Sequence, residues 1–447
     1  MLIKSEPKIP PLLSDTETDY YTKDQLPTKQ PATQPFQNKP LIFILPFKIL
    51  RKLFYSLKRP DKTFAFLFFL PYSLLLALTI RMLKPFIHIR FGYIDSGRIG
   101  YICRTLEFYL SKKDAASKQK KCYDIFYWSP FSACNKQIHR MWKRTVRYSP
   151  ISYWAYRLNK ILPDGPQHTV TYEGRCSWSM HDIWKKTQAH LNFSEKELLL
   201  GKGNLSKMGI PHTAPYVCFV ARDAAYLKKT FSKNNWDYHS YRDTDVNQCL
   251  PAIDYLTEKG YYGIRMGSIV NTKLNSSNVK IIDYTSHFRD EFMDVYLPAH
   301  CRMFLTPGTG LDDIAKIFRR PVVTVNLIPL KTIIWSMSNV VFIPKKLWLK
   351  KDRRFLTFKE ILSTDIGWYC LTEQYKQSGI EVIDNSAEEI RSAVIEADQR
   401  IDNQYTDTPE IMALQKRFID LFPGTGKLTT PPPLISAEFL KRNRKLI

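Results

Sequence analysis

Residues 304–314 read FLTPGTGLDDI, and this stretch decides the fold class. Its apolar start predicts the end of a β-strand, its two glycines predict a tight turn, and the residues after them begin a helical pattern. A glycine-rich turn between a strand and a helix directs backbone N–H groups and the positive helix end at an anion. We therefore expect Thr306, Gly308, Thr309 and Gly310 to bind a diphosphate, with a purely structural turn as the alternative.

The same alternation of strand and helix extends outward from this stretch. It covers residues 211–395 and, with fewer strands, residues 86–210, and it predicts parallel sheets with helices on both faces. We therefore expect an α/β protein with two Rossmann-like domains, 86–210 and 211–395, that face a cleft. The predicted strands are 87–94, 123–128, 216–220, 262–266, 279–284, 302–306 and 322–327. The main predicted helices of the second domain are 247–259, 290–300 and 311–319.

Three arginines of the second domain follow strands or open loops, and they are Arg222, Arg242 and Arg265. Ligands of open α/β sheets bind outside the carboxyl ends of the strands, and guanidinium groups match phosphate oxygens. We expect these arginines, together with Gly267, to bind the same diphosphate. For each arginine, a solvated side chain or a structural pair with an aspartate is the alternative. As a strand-end residue, Arg265 is expected to be dispensable for folding.

The first domain contains the turn Asp95-Ser96-Gly97-Arg98-Ile99-Gly100 directly after its first predicted strand. A glycine-bounded loop at that position faces the predicted cleft, so we place Arg98 and Gly100 on the acceptor side. Asp95 and His239 are the candidates for a general base, although their spacing does not choose between them.

Carboxylate pairs of the kind that hold a divalent cation are scarce. Asp243-Thr244-Asp245 has such a spacing but lies in a polar loop before a helix, where helix capping explains it. We therefore expect no metal and no cofactor, with arginines and a helix end neutralising the charge.

The N-terminal region predicts an association with membranes. Residues 1–46 are rich in proline and polar residues, which is typical of a disordered tail. Residues 47–85 contain the basic amphipathic stretch FKILRKLFYSLK and the apolar stretch FAFLFFLPYSLLLALTI, and the net charge of the chain is +24. Packing of these helices on their own domain is the alternative. Residues 396–447 are predicted to form C-terminal helices and a tail, and no nucleic-acid-binding motif is present.

Short motifs are spread over the chain from about residue 86 to the C-terminus. They are RIG (98–100), CNKQ (134–137), LPDG (162–165), VCFVARD (217–223), YHSYRD (238–243), IRMG (264–267), DVYLPAHCRMF (294–304), PVVTVN (321–326) and ISAEFLKRN (435–443). Together with the glycine turn, they resemble a family of bacterial glycosyltransferases with a GT-B-like fold. In that family a histidine often follows RIG, where this chain has Tyr101.

The resemblance implies sugar transfer in the assembly of surface polysaccharides or other glycans. We expect a nucleotide-diphosphate sugar as donor and a membrane-linked glycan or lipid as acceptor, at the cytoplasmic face of the cell membrane. The oligomeric state is left open. Two alternatives are a nucleotide-sugar epimerase of the same fold and a non-catalytic scaffold of a polysaccharide assembly complex.

Overall fold

The computed structural model describes residues 60–116, 122–128, 134–172, 178–223, 237–335, 339–422, 425 and 430–447. The chain divides into two compact units, Met1–Phe68 and Phe69–Ile447. The predicted tail at 1–46 and the predicted basic helix at 47–58 lie outside the described residues. Both predicted α/β blocks belong to the second unit, and their separation into two domains stays a prediction.

Helix α1 (Pro60–Met82) corresponds to the predicted apolar segment and contains Pro71. Ala77 and Ile80 are fully buried, because Ile80 packs in a small cluster with Phe91 and Ala155. Large apolar side chains on other positions of the helix stay exposed, and these are Leu75, Leu78 and Met82. Among the helices that the structure describes, none is both long and apolar enough to cross a bilayer.

The first block is built on a pair of parallel strands. Its elements are β1 (His88–Tyr93), α2 (Ile99–Ala115), β2 (Cys122–Tyr127), α3 (Lys136–Thr145), α4 (Ser152–Asn159), α5 (Trp178–Lys186), α6 (Glu195–Lys207) and the 3₁₀-helix Gly165–His168. β1 and β2 pair from His88↔Cys122 to Tyr93↔Tyr127, and single bridges at Tyr148 and Thr169 extend the pair. Helices α2 and α3 cover it with buried apolar side chains, and Trp128, Trp142 and Trp184 are the largest of this core.

The second block is a larger parallel sheet. Its elements are β3 (Tyr216–Phe219), α7 (Leu250–Glu258), β4 (Tyr262–Arg265), β5 (Ile281–Asp283), α8 (Tyr284–His287), α9 (Met293–His300), β6 (Phe304–Thr306), α10 (Asp312–Ile317), β7 (Val322–Leu327), β8 (Asn339–Pro344) and the 3₁₀-helices Asp237–Arg242, Val246–Cys249 and Leu330–Trp335. All residues of β3, β6 and β7 are buried, as expected for central strands covered on both faces.

The remaining elements follow β8. They are β9 (Lys346–Leu349), β10 (Arg354–Phe355), α11 (Phe358–Ser363), α12 (Thr372–Gln377), β11 (Ile380–Ile383), α13 (Ala387–Ile401), α14 (Pro409–Ile419), β12 (Leu434–Ile435), α15 (Ala437–Arg442) and the 3₁₀-helices Asp365–Trp368 and Arg444–Leu446. β9, β10 and β11 form a small antiparallel sheet. β12 returns to pair in parallel with β8, so the predicted C-terminal segment contributes a strand to the sheet of the second block.

The strand order of the large sheet determines where a ligand can bind. The order is β12-β8-β7-β6-β3-β4-β5, with all neighbours parallel. From β3 the chain first builds outward through β4 and β5, and then returns to build the other side from β6. The crossovers therefore run to opposite sides next to the β3–β6 pair. A crevice opens at such a switch point, outside the carboxyl ends of the strands.

Several predicted elements are shorter than expected. The helix predicted at 247–259 starts with the 3₁₀-helix Val246–Cys249, and α7 follows with a proline in its first turn. The helix predicted at 311–319 is only α10, and the chain turns sharply where Arg319 adopts a φ of 58°. By contrast, α13 begins with a complete N-terminal cap, because the side chains of Ser386 and Glu389 form a reciprocal capping box.

Candidate functional site

The glycine turn after β6 lies at the switch point, and its conformation is fixed by its own side chains. The N–H of Gly308 donates to Oγ1 of buried Thr306 at 3.0 Å, and the N–H of Thr309 donates to Asp312 at 2.8 Å. Gly308 has a φ of +85°, which a residue with a side chain rarely adopts. The turn is therefore preformed, although two of its N–H groups already have partners.

Helix α10 starts with two buried carboxylates that neighbouring cations balance. Lys316 Nζ lies 2.5 Å from Asp312 and 3.6 Å from Asp313, and Arg104 of α2 lies 3.5 Å from Asp313. Burial raises the pKa of Asp313. Burial alone would lower the pKa of Lys316, but the two aspartates outweigh it and raise that pKa. These carboxylates therefore belong to an internal charge network rather than to an open anion site.

Gly100 and Gly310 bring the first turn of α2 against the glycine turn. A Cβ on Gly100 would lie 2.5 Å from Asp313 Oδ2 and 3.0 Å from Gly310 Cα. A Cβ on Gly310 would lie 3.3 Å from the backbone nitrogen of Gly100. Both predicted site glycines thus permit a close approach of two backbones. The space at Gly308 is open, because no heavy atom lies within 4 Å of a Cβ there.

Two of the predicted arginines contact the glycine turn or the 3₁₀-helix Asp237–Arg242. Arg242 Nη2 donates to the carbonyl of Gly308 at 2.5 Å. Arg222, three residues after β3, donates from Nη1 to the carbonyl of His239 at 2.9 Å and lies 3.3 Å from Asp243 Oδ1. The 3₁₀-helix Asp237–Arg242 thereby connects the carboxyl ends of β3 and β6, the two strands at the switch point.

His239 lies among positive charges. Burial lowers the pKa of His239 to about 3, and three guanidinium groups contribute to the shift. They belong to Arg222, Arg242 and Arg98. Arg98 comes from the first block, so the structure brings a predicted acceptor-side residue near the predicted donor-side residues. Nδ1 of His239 is buried and has no hydrogen-bond partner among the described residues.

Lys345 contacts the end of the 3₁₀-helix Asp237–Arg242, and no local pattern in the sequence predicts this contact. It is 4% exposed, and its Nζ donates to the carbonyls of Tyr241 and Asp243, both at 3.0 Å. It also pairs with Asp384 at 2.7 Å. Burial lowers the pKa of Lys345, and Asp384 acts in the opposite direction. Its partners are about 40 and 100 residues away in the sequence.

Arg265 ends β4, one strand further toward the sheet edge. Its guanidinium lies 3.2 Å from Asp283 and donates to the carbonyl of Thr272 at 2.6 Å. The side chain is 3% exposed, so Arg265 is a buried residue, and its removal would leave Asp283 without this partner. That Arg265 is dispensable for folding stays a prediction, and its burial argues against it. Gly267 follows with a φ of +153°, and a Cβ there would lie 3.0 Å from Val270.

Asp95 lies just beyond the carboxyl end of β1 and accepts a hydrogen bond from the N–H of Gly97 at 2.9 Å. Tyr93 is nearby: partial burial, with the charge of Asp95 as the next cause, raises its pKa to about 12. Asp95 therefore follows the end of a strand in the first block, as Arg222 does in the second block.

The described residues contain no group of three or more histidine, cysteine, aspartate or glutamate side chains arranged for a metal ion. Asp243 is close to Arg222, and Asp245 accepts from the N–H of Asn247 as a helix cap. Metal independence stays a prediction.

Comparisons with known proteins give only distant matches. No family model and no curated protein matches the chain. Three solved structures are similar to it. ADP-heptose LPS heptosyltransferase II from E. coli has 11% identity and a TM-score of 0.34, covering 53% of this chain and 84% of that one.

The second structure is a family 9 glycosyl transferase from Veillonella parvula DSM 2008, with 10% identity, a TM-score of 0.37 and coverage of 58% of this chain and 86% of that one. The third is the iron-containing dodecameric glycosyltransferase TibC from enterotoxigenic E. coli H10407, with 14% identity and a TM-score of 0.28, covering 54% and 60%. All three neighbours are glycosyltransferases. These scores are too low to support a conclusion about the activity.

Proposed function

We propose that this protein is a glycosyltransferase that moves a sugar from a nucleotide-diphosphate donor to a membrane-linked glycan or lipid acceptor in bacterial surface polysaccharide or glycan biosynthesis. The observation that supports this most is the position of Arg222 and Arg242 at the switch point of a parallel sheet, where Arg222 contacts the His239 carbonyl and Arg242 contacts the glycine turn. Arg98 of the first block is near enough for its charge to act on His239. A diphosphate has several oxygens that can accept hydrogen bonds from such a group of guanidinium side chains.

The cations would act on the leaving group. In the transfer, an acceptor hydroxyl oxygen bonds to the anomeric carbon, the bond from that carbon to the diphosphate oxygen breaks, and the hydroxyl proton passes to a base. Negative charge grows on the diphosphate as its bond breaks. Arg98, Arg222 and Arg242 would stabilise this charge, because preorganised cations stabilise the transition state without reorganising.

Asp95 is the better candidate for the base. His239 lies among the cations of the proposed donor side, and burial together with these cations lowers its pKa, whereas Asp95 lies at a strand end of the first block, where we place the acceptor. We assign His239 to the donor side instead, where its buried Nδ1 would bond to a phosphate oxygen. A bound diphosphate would also raise the pKa of His239 by supplying negative charge.

The acceptor's link to a membrane is proposed from α1. Leu75, Leu78 and Met82 are 67%, 52% and 77% exposed, and an apolar face of this kind suits the interface of a bilayer. Arg81 of the same helix donates to Asn159 at 2.9 Å and to the Pro163 carbonyl at 2.6 Å, which attaches the helix to the first block. We place the protein peripherally on the cytoplasmic face of the cell membrane.

Sedimentation with vesicles tests the membrane proposal. Wild type should sediment with vesicles of phosphatidylglycerol and phosphatidylethanolamine, and a double substitution Leu75→Gln, Leu78→Gln should weaken this. Equal sedimentation of both proteins would contradict the role of α1. Point substitutions are preferable to deletion of the helix, because Ile80 and Arg81 contact the first block.

Donor binding tests the central claim. A calorimetric panel of nucleoside diphosphates and their sugars should identify a ligand, and Arg98→Ala should weaken it about ten- to a hundredfold, as expected for one charge-assisted hydrogen bond. Arg140→Ala is the matched control, because Arg140 is an exposed arginine of the same block that contacts Gln137. If no nucleotide binds, or if both variants bind like wild type, the donor site is wrong and the scaffold alternative gains support.

A further inference from the structure

Four tyrosines gather at the carboxyl end of the first block's strands. Tyr93 ends β1 and Tyr127 ends β2, and the two form the last pair of the ladder. Their rings stack with centroids 5.9 Å apart. Tyr156 of α4 stacks on Tyr93 at 6.0 Å, and Tyr153 of the same helix lies 4.5 Å from Tyr127. We call these four residues the tyrosine platform.

The platform is neither core nor ordinary surface. None of its members is fully buried, and Tyr93 is 37% exposed. The large apolar side chains of the first block's core, such as Trp128 and Trp142, are fully buried. Rings that are ordered against each other and still reachable by solvent offer a rigid, amphipathic surface whose conformational entropy is already restricted.

The tyrosine platform has the proposed base on one side and α1 on the other. Asp95 is two residues beyond Tyr93, close enough for its charge to affect the tyrosine. On the other side, Tyr153 packs on Trp154 at 5.1 Å, and Trp154 stacks on Phe69 of α1 at 5.5 Å. The platform therefore lies between the proposed base and the helix with the exposed apolar face.

We propose that the tyrosine platform is an acceptor subsite that binds a pyranose ring of a membrane-linked glycan. This inference rests on the proposed function and names the acceptor chemistry. One face of a pyranose carries C–H groups that pack on an aromatic ring, while the hydroxyls at its rim bond to polar groups such as tyrosine hydroxyls. A sugar seated on Tyr93 presents a hydroxyl toward Asp95, and its lipid end extends past Trp154 to α1.

Saturation-transfer NMR with the intact chain tests this subsite. The probes are methyl glycosides of glucose, galactose, mannose and N-acetylglucosamine, with uridine as a comparison for a nucleoside that stacks. Wild type should transfer saturation to the C–H protons of at least one glycoside. Tyr93→Leu should weaken its affinity about tenfold, because the leucine keeps apolar bulk but removes the flat face. Tyr93→Phe, which keeps the ring, should stay within about threefold of wild type, since only one hydroxyl contact is lost.

Tyr123→Leu is the matched control. Tyr123 lies near the opposite end of β2, and its exposure of 39% is close to that of Tyr93. The platform is wrong if no glycoside binds wild type, if Tyr93→Leu binds like wild type while folded by circular dichroism, or if uridine alone depends on Tyr93. Calorimetry with nucleotide sugars separates the two proposals: glycoside binding without donor binding refutes the donor site and leaves the platform standing.

Discussion

Substitution of Gly100 by alanine should reveal how tightly the two blocks meet. The new methyl group would lie 2.5 Å from Asp313 Oδ2 and 3.0 Å from Gly310 Cα. Asp313 cannot move away freely, because it lies within 3.6 Å of both Arg104 and Lys316. Forcing a methyl group into a packed interior costs about 1–3 kcal/mol, and here it also disturbs buried ion pairs.

Gly203→Ala is the control, and it should stabilise the protein rather than destabilise it. Gly203 is an exposed residue inside α6, and no heavy atom lies within 4 Å of a Cβ there. Its replacement should gain about 0.8–1 kcal/mol of helix propensity. In thermal unfolding followed by circular dichroism, Gly203→Ala should raise Tm slightly and Gly100→Ala should lower it by about 1–4 °C. If Gly100→Ala is as stable as Gly203→Ala, the close approach of α2 to the glycine turn is wrong.

Three further predictions concern protons and metal. Contacts with Glu107 and Asp114 outweigh burial and raise the pKa of His190 above its usual value, so its stabilising effect is complete below about pH 6.5 and is lost as pH rises through the folded-state pKa. His190→Gln should therefore lower Tm more at pH 6 than at pH 9, and an equal loss at both would contradict this. Donor binding near pH 4.5 should take up protons at His239, measured by calorimetry in two buffers of different ionisation enthalpy, and no buffer dependence would argue against a phosphate beside it. Transfer activity should persist in EDTA, whereas loss of activity with rescue by Mg²⁺ would implicate Asp243.

Local patterns in the sequence predicted the elements around the site but not how side chains pair across it. The strand–turn–helix at 304–314 and the strands before Arg222 and Arg265 are present because their periodicity and glycines are local properties. The ends of the helices could not be predicted from local patterns. An example is α10, which ends at Ile317, before Arg319 adopts a left-handed conformation. Nothing near Arg265 in the sequence distinguishes a ligand contact from a buried pair with Asp283.

Contacts between residues far apart in the sequence could not be predicted from local patterns. The sequence predicts that Gly100 and Gly310 face ligands, but their spacing of 210 residues does not indicate the contact between them. Nothing in the sequence distinguishes Lys345 from the other cations of a chain with 66 lysines and arginines. The tyrosine platform combines two strand ends with a helix 26 or more residues later, so no window of sequence contains it.

The pairing of β12 with β8 can form only late in the synthesis of the protein. During synthesis, β8 emerges about 90 residues before β12, so the nascent sheet has an unpaired edge that contains Val341, Phe342 and Ile343. An exposed apolar edge strand is a template for pairing with other chains. Truncated chains that end before residue 434 should therefore aggregate on the ribosome or after release. A peptide that spans β12 and α15, supplied separately, should return them to solution.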